Sequence, residues 1–599
     1  MSLIKFSSLI FYPILSLVVS ASWAANVYID NTIGSDCTSS NYSVASRNCT
    51  GTDGNAYRTI QNGINNASVG DVIYMRGGTY NEVAIDIPES KNGTAWTAGN
   101  FTTLMSYPGE WAIVDATGLN TSAVWPEQSV FTHPTGYGVG SPSQYTSYWK
   151  FSNFEVTGGR SGFFLKADHI KWQYMYIHNN GRSAGAGLDT LIGGIVSVGP
   201  RYSEIKYSYF KDNVQTVGGN LNNANILFDA DYKDNNGNGG TFDPNAAIHS
   251  NEIAYNYFTG SRISIRHKNQ QRFGYNDRDP NDMTYKNYGD KIHHNIVLDA
   301  DESIGVGQDF TQIYNNITDS TINYGRVSGA DGDVPIVYNA VVYNNTVKRD
   351  STDSSYGSFV TTGGYDEAMY NFYDVKDGSG NVTARSVHEH VWFYNNIADN
   401  NTTDYQDTPF IFHWNIPANS SAAPQDNSDL VFDRNLIHYN AGATPIIVGH
   451  NYDASFLGCD SQYHTASSIS SCSETWRGVT GILNWENNTS DLFQSTTGYS
   501  QYITEPTFAL DSTKTICDGG KSGNHPYLTG VSIPSYVGAT NPNANAWVFA
   551  VFNEVSSVDW LKAQTDENPS WTEENTVSSS VCKSPPKAPS GVEHVPEDE

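Results

Sequence analysis

Short apolar runs of four or five residues, broken by Gly, Asn, Asp or Ser, recur along most of the chain, and no long stretch keeps the helical spacing of apolar positions. The runs are rich in β-branched and aromatic residues, which suit strands. One phrase repeats: an apolar residue, two others, Asn or a substitute, then apolar residues again. Its polar position falls at Asn153, Gln173, Ser208, Asn256, Asn295, Asn316, Asn345, Asn396 and Asn435, so neighbouring positions differ by 20, 35, 48, 39, 21, 29, 51 and 39. A step of 20 or 21 residues is one bare coil of a parallel β-solenoid, and the longer steps are the same coil with an insertion. A propeller blade needs four strands, for which 20 residues leave no room. At the bend an Asn can adopt the left-handed conformation, and its amide can bond to the Asn one coil away, forming a ladder.

A further strand is expected after each of these bends. Examples are Gly162–Lys166, Gly194–Val198, Asn225–Asp229, Arg262–Arg266, Ser303–Gly307, Thr321–Gly325 and Phe410–His413. Stacked coils align such segments, so residues at one place in successive coils form columns. With Ile263 and Ile265 turned inward, Ser264, Arg266 and Lys268 face solvent. With Ile226 and Phe228 inward, Leu227, Asp229 and Asp231 take the matching outer places of the coil before. Gly305 and Gly307 follow in the coil after and leave space beside them.

Charge and composition narrow the partners. The chain of 599 residues has 62 Asp plus Glu against 33 Lys plus Arg, a net charge of −29. Nucleic acid, which needs a basic surface, is excluded as a partner. With 38% hydrophobic and 13% aromatic residues, disorder is excluded for most of the chain. The start, Met1 to Ala24, has one early Lys, an apolar run from Phe6 to Val19 and small residues before Ala25. It reads as a secretory signal cut after Ala24, so the protein is expected to be secreted, extracellular or periplasmic. No later run approaches about 18 uninterrupted apolar residues, so no membrane span is expected. Six cysteines suit export, and their spacing favours Cys37 with Cys49, Cys459 with Cys472, and Cys517 with Cys582, out of about 15 pairings. The chain divides into the signal (1–24), a solenoid (25–455), a C-terminal extension packed on the last coils (456–582) with a helical candidate at Ser557–Lys562, and a disordered Pro-rich and charged tail (583–599).

Near the N-terminus, Tyr57-Arg-Thr-Ile-Gln61, Gly70-Asp-Val-Ile-Tyr74 and Gly77-Gly-Thr-Tyr-Asn-Glu82 resemble the opening of secreted right-handed parallel β-helix proteins of the pectate-lyase-like superfamily. The resemblance covers about residues 26–450. It implies an all-β right-handed parallel β-helix whose open end is capped by a short helix, here about Ile60 to Ala67, because an uncovered end would expose core and strand edges.

The loop Asp229-Ala-Asp231-Tyr-Lys-Asp234-Asn-Asn-Gly-Asn-Gly-Gly is dense in hard oxygen donors, which suits Ca²⁺. It lacks the Glu and flanking helices of an EF-hand. Calcium-dependent polysaccharide lyases on this fold bind Ca²⁺ through Asp side chains and remove a uronate proton with Lys or Arg from a neighbouring coil. By that resemblance Lys268 is the base, and Arg266, His267 and Arg326 bind substrate, with Arg266 on the carboxylate. Asp229, Asp231 and Asp234 bind the metal. The sequence lacks the tight Ser-Asp-Asp-Gly acidic cluster of lysine-base pectate lyases. The expected activity is eliminative cleavage of an acidic glycan such as pectate or alginate by a monomeric enzyme. Two alternatives stay open: a glycoside hydrolase using paired carboxylates among Asp299, Asp301 and Glu302, and a glycan-binding solenoid without catalysis. His293 and His294 lie in another column, and histidine is a good general base at neutral pH.

Overall fold

The computed structural model describes residues 26–119, 129–132, 145–181, 192–213, 223–229, 248–268, 288–306, 308, 310–318, 320–324, 336–338, 340–349 and shorter stretches between 374 and 561. Parallel strands wind into a right-handed parallel β-helix. The strand pairs run in register from coil to coil, and each full coil has three faces. The first carries segments such as Glu204–Lys206, Glu252–Ala254 and Lys291–His293. The second carries Tyr176–His178, Tyr209–Lys211 and the start of Tyr257–Lys268. The third carries Ser161–Leu165, Ile192–Val198, Asn223–Asp229 and the ends of Tyr257–Lys268 and Ile296–Val306. The sequence pattern shows the first and third faces and misses the second. Its three-residue strands send one apolar side chain inward, such as Phe210 or Phe258, too few for an alternation to register.

The interior is a continuous column of Ile, Val, Phe and Trp, including Trp149, Phe151 and Trp172 at 0% exposure. Helix Ile60–Asn66 lies over its N-terminal end and buries Ile60 and Ile64. Thr59 caps it through the amide of Asn62, and the Glu82 carboxylate accepts from the amides of Ile60 and Gln61. Gly63 is required there, since a Cβ would stand 2.6 Å from Ile29. A disulfide joins Cys37 and Cys49. Cys459, Cys472, Cys517 and Cys582 lie outside the described residues, as do residues 1–25 and the tail. Among the described residues no helix is long and apolar enough to cross a membrane. The extension is described in short strands and at Leu561, whose carbonyl accepts from the Asn153 amide of an earlier coil at 3.3 Å.

The bend between the first and second faces divides its work between two adjacent residues. Tyr174, Tyr207, Tyr255, His294, Asn315, Asn344 and Asn395 hold φ between 53° and 59°. The residue after each turns into the ladder: Asn256 donates to Asn295, Asn295 to Asn316, Asn316 to Asn345 and Asn345 to Asn396, at 2.9–3.1 Å. The left-handed residue and the ladder residue are thus neighbours, not one Asn performing both tasks as expected. Two earlier positions are also re-registered. Asn153 has the left-handed φ of 58°, and Gln173 lies on the strand opposite Ser152 and Lys206, so Phe154 and Met175 occupy the ladder place in those coils.

Candidate functional site

The two corners that flank the third face vary in length from coil to coil. From Tyr174 to Asn396 the first corner is two residues in every described coil, whereas residues 179–191 and 212–222 separate second from third faces. Residues 230–251 and 269–290 separate the third face from the next first face, and they start directly after Asp229 and Lys268. Ladders run through these corners too, by way of Asn180, Asn213 and Asn225 and of Asn251 and Asp290, yet their spacing varies from coil to coil, and the strands that end in Asp229 and Lys268 finish at the same edge.

Strand register brings the expected strands side by side but two residues out of the expected order, with Lys268 and not Arg266 opposite Asp229. Asp229 pairs with Val198 on one side and Lys268 on the other. Arg266 pairs with Leu227 and with Gly305. Neighbouring strands stand about 4.8 Å apart, so Asp229, Arg266 and Lys268 share one small area of the third face, with Gly305 adding no side chain beside Arg266.

Their exposure differs from expectation. Asp229 and Arg266 are each 1% exposed, not open to solvent. The outer side of this face carries its own apolar cluster of Phe164, Val196, Val198, Ala224, Leu227 and Ile263, which dries the charges beside it. Ile263 belongs to that cluster and not to the inner column as expected. Ser264, expected outside, is 0% exposed and receives the Asn225 amide at 3.4 Å, at the end of a second ladder running through Asn180, Asn213 and Asn225. The alternation is interrupted here because the bend ladder claims position 264.

His267 is turned into the solenoid. Its ring is 1% exposed, stacks on Phe228 at 5.6 Å, and places Nε2 3.4 Å from Oδ2 of Asp290. Expected as a substrate contact, it lies instead among core residues. Asp299 stands exposed at the corner between second and third faces, with φ 55°, and Glu302 is half-buried opposite Ile263 and Thr321. Asp301 lies in the strand between them. Asp231, Asp234, Gly307 and Arg326 fall outside the described residues. Among the described residues no group of three His, Cys, Asp or Glu forms a metal site. The donor set expected for Ca²⁺ is all carboxylate, the chemistry that ion takes, and Asp229 is its one described member.

The first face carries a second charged row that the sequence pattern did not single out. Lys171 meets Glu204 at 3.0 Å, Lys206 meets Glu252 at 2.7 Å, and His293 Nε2 lies 3.0 Å from Glu252. His293 stacks on Tyr314 and Tyr314 on Tyr343, at 4.5 and 4.9 Å. Burial alone would raise the Glu252 pKa, but the His293 hydrogen bond and the Lys206 charge outweigh it and hold it at about 2. Lys171 and Lys206 are each matched by a carboxylate, so this part of the row presents little surplus charge to a ligand. The signal for it was the register itself, which becomes visible once the first corner is counted as two residues.

No protein-family model and no curated protein matches this sequence. Among solved structures the chain is similar to the pectate lyase Pel9A, with 11% identity, a TM-score of 0.35, and coverage of 87% of this chain and 97% of that one. It is similar to the PL6 family alginate lyase AlyGC, with 11% identity, a TM-score of 0.34 and coverage of 66% of this chain. The match spans 48% of that lyase, about half its length. A GH136 lacto-N-biosidase from Eubacterium ramulus follows, with 10% identity, a TM-score of 0.32, and coverage of 72% and 66%. At these values the likenesses carry no weight for the chemistry, which rests on the residues of the third face.

Proposed function

We propose that this chain is a carbohydrate-active enzyme that cleaves an acidic, uronate-containing glycan such as pectate or alginate by β-elimination at the third face. The observation that supports it is the register: Asp229 opposite Lys268, and Arg266 two residues earlier on the same strand beside Gly305. Elimination needs positive charge near a carboxylate to acidify the adjacent C5 hydrogen, and a base close by. Lys268 in its neutral form takes the C5 proton. The C5 electron pair forms the C4=C5 double bond, and the glycosidic oxygen leaves C4 with a proton from solvent. Arg266 and Asp229, both buried, belong to the floor of the site, and Lys268 is the last residue of its strand. Asp229, with Asp231 and Asp234, is the proposed set for Ca²⁺, which when bound supplies charge against the substrate carboxylate. Arg326 remains a proposed substrate contact, and His267 is left out because its ring lies in the core.

A second reading, hydrolysis, is favoured by one observation: exposed Asp299 and half-buried Glu302 stand three residues apart at the adjoining corner. Incubation with polygalacturonate and with alginate, followed by both ultraviolet absorbance and reducing ends, separates the two. Elimination raises both signals together, and both are abolished in Lys268→Ala and by EDTA. Reducing ends without absorbance, lost in Glu302→Gln or Asp299→Asn and retained in Lys268→Ala, would establish the hydrolase. Binding without either signal would leave a glycan-binding solenoid.

A further inference from the structure

His267 lies between the two basic residues of the proposed site, and its ring is turned into the solenoid. That ring sits on Phe228, the residue before Asp229, and faces Asp290 across 3.4 Å inside the solenoid. Asp290 is 0% exposed and occupies a place in a third bend ladder. Its Oδ1 accepts from the amide nitrogen of Asn251 at 2.8 Å and from the Asn251 side chain at 3.1 Å. Asn251 in turn accepts from Ser203 and donates to the Pro200 carbonyl. At the equivalent places of the first-corner ladder the chain uses Asn repeatedly.

An acid in place of Asn is costly here. Burial drives the Asp290 pKa up to about 7 against the opposing Asn251 hydrogen bonds, and it drives that of His267 down to about 3. A neutral Asn would satisfy Asn251 without that cost; what the carboxyl adds is an oxygen 3.4 Å from the imidazole, a close polar contact rather than a formed hydrogen bond. The contact also has a distinctive place in the chain. His267 stands one residue before the end of its strand and Asp290 one residue before the start of the next first-face strand, so the contact ties the end of one strand to the beginning of the next from inside the coil.

We propose that His267 and Asp290 are positioning residues: an internal clasp that fixes the strand end bearing Arg266 and Lys268 against the Asp229 coil. The clasp rests on the assignment of the third face as the site, and it deepens that assignment by naming what sets the geometry of Lys268. A polar pair beneath a wall holds one backbone position, where an apolar contact would let the strand end slide or fray.

Two variants of the full chain test it. Asp290→Asn keeps the ladder geometry, and His267→Gln keeps a polar group of similar reach. Limiting acetylation followed by peptide mass spectrometry reads the reactivity of the Lys268 amine against exposed Lys291 as internal reference. The thermal midpoint is measured alongside. The clasp predicts that both variants melt close to wild type while the Lys268-to-Lys291 ratio changes about threefold or more, because a displaced amine sees a different electrostatic surrounding. An unchanged ratio in both variants overturns the clasp, whatever the chain acts on. On polygalacturonate and alginate, kcat falls about tenfold to a hundredfold with KM nearly constant, since a misplaced base slows the step without weakening binding. Should the ratio change while Lys268→Ala keeps full turnover, the clasp stands as a structural device and elimination by Lys268 fails. Should Lys268→Ala be inactive and both clasp variants keep wild-type kcat and pH profile, the positioning role fails and elimination stands.

Discussion

Single residues in this molecule carry two kinds of constraint, hydrogen-bond satisfaction in the ladders and charge pairing on the first face. Asn316 is 0% exposed, donates to Asn345 and to the Ile292 carbonyl, and accepts from both the backbone and the side chain of Asn295. Replacing it with Ala strands several buried groups at once. The expected loss is about 3 kcal/mol or more, read from the urea midpoint at constant m-value. Glu252 sets a pH limit. Its folded pKa of about 2 lies below the ordinary 4.5, so its contribution to stability is complete above pH 4.5 and is lost as pH falls from there toward 2. The melting temperature should fall across that window, and Glu252→Gln should flatten that part of the curve and lower stability at neutral pH. The two ladder functions also explain a misreading at this scale. Asn153 fits the repeating phrase because the left-handed place and the ladder place both favour Asn, and only φ tells them apart.

At the scale of elements, the first corner is rigid in length and the corners around the third face are not. The reason is the stack of left-handed aromatic residues beside the ladder: Tyr174 on Tyr207, Tyr207 on Tyr255 and Tyr255 on His294 at 5.1, 5.5 and 4.8 Å. A single Gly inserted between Asn315 and Asn316 would break both columns and shift the following strand by one residue, exchanging its inner and outer faces. Soluble expression should collapse for that variant, whereas the same Gly inserted within residues 230–247 should leave yield and thermal midpoint near wild type. Equal damage from both would show that the corners are not distinct. Gly260 is a fixed point of the second corner, with φ 63° and no room for a Cβ beside Asp212.

The whole molecule sets the long-range terms. A net charge of −29 repels a polyanion at distance, while the few cations of the third face act locally. The Debye length falls to about 8 Å at physiological ionic strength, which removes most of the repulsion and spares the short contacts. For an acidic glycan, KM should therefore decrease as salt rises from about 10 mM toward about 150 mM, with kcat little changed. A KM that rises steadily over this range would point to a substrate held by exposed cations and against the buried floor described here.

The linear order of residues was enough to determine the coil repeat, the Cys37–Cys49 bridge and the strands that carry Asp229, Arg266 and Lys268, because each follows from spacing along the chain, and the capped N-terminal end followed from the family resemblance. The pairing of Asp229 with Lys268, and not with Arg266 as the order of outward positions suggests, was set by the fold. The second face escaped notice because three residues cannot display a period of two. Burial was decided only by the tertiary structure. Alternation tells which side of a sheet a residue takes, not whether that side is dry, and the apolar cluster around Leu227 and Val198 makes the outer wall near Asp229 and Arg266 a covered one. Folding also set the direction of His267, since its partner Asp290 is 23 residues further along the chain and becomes a neighbour only when the next corner closes.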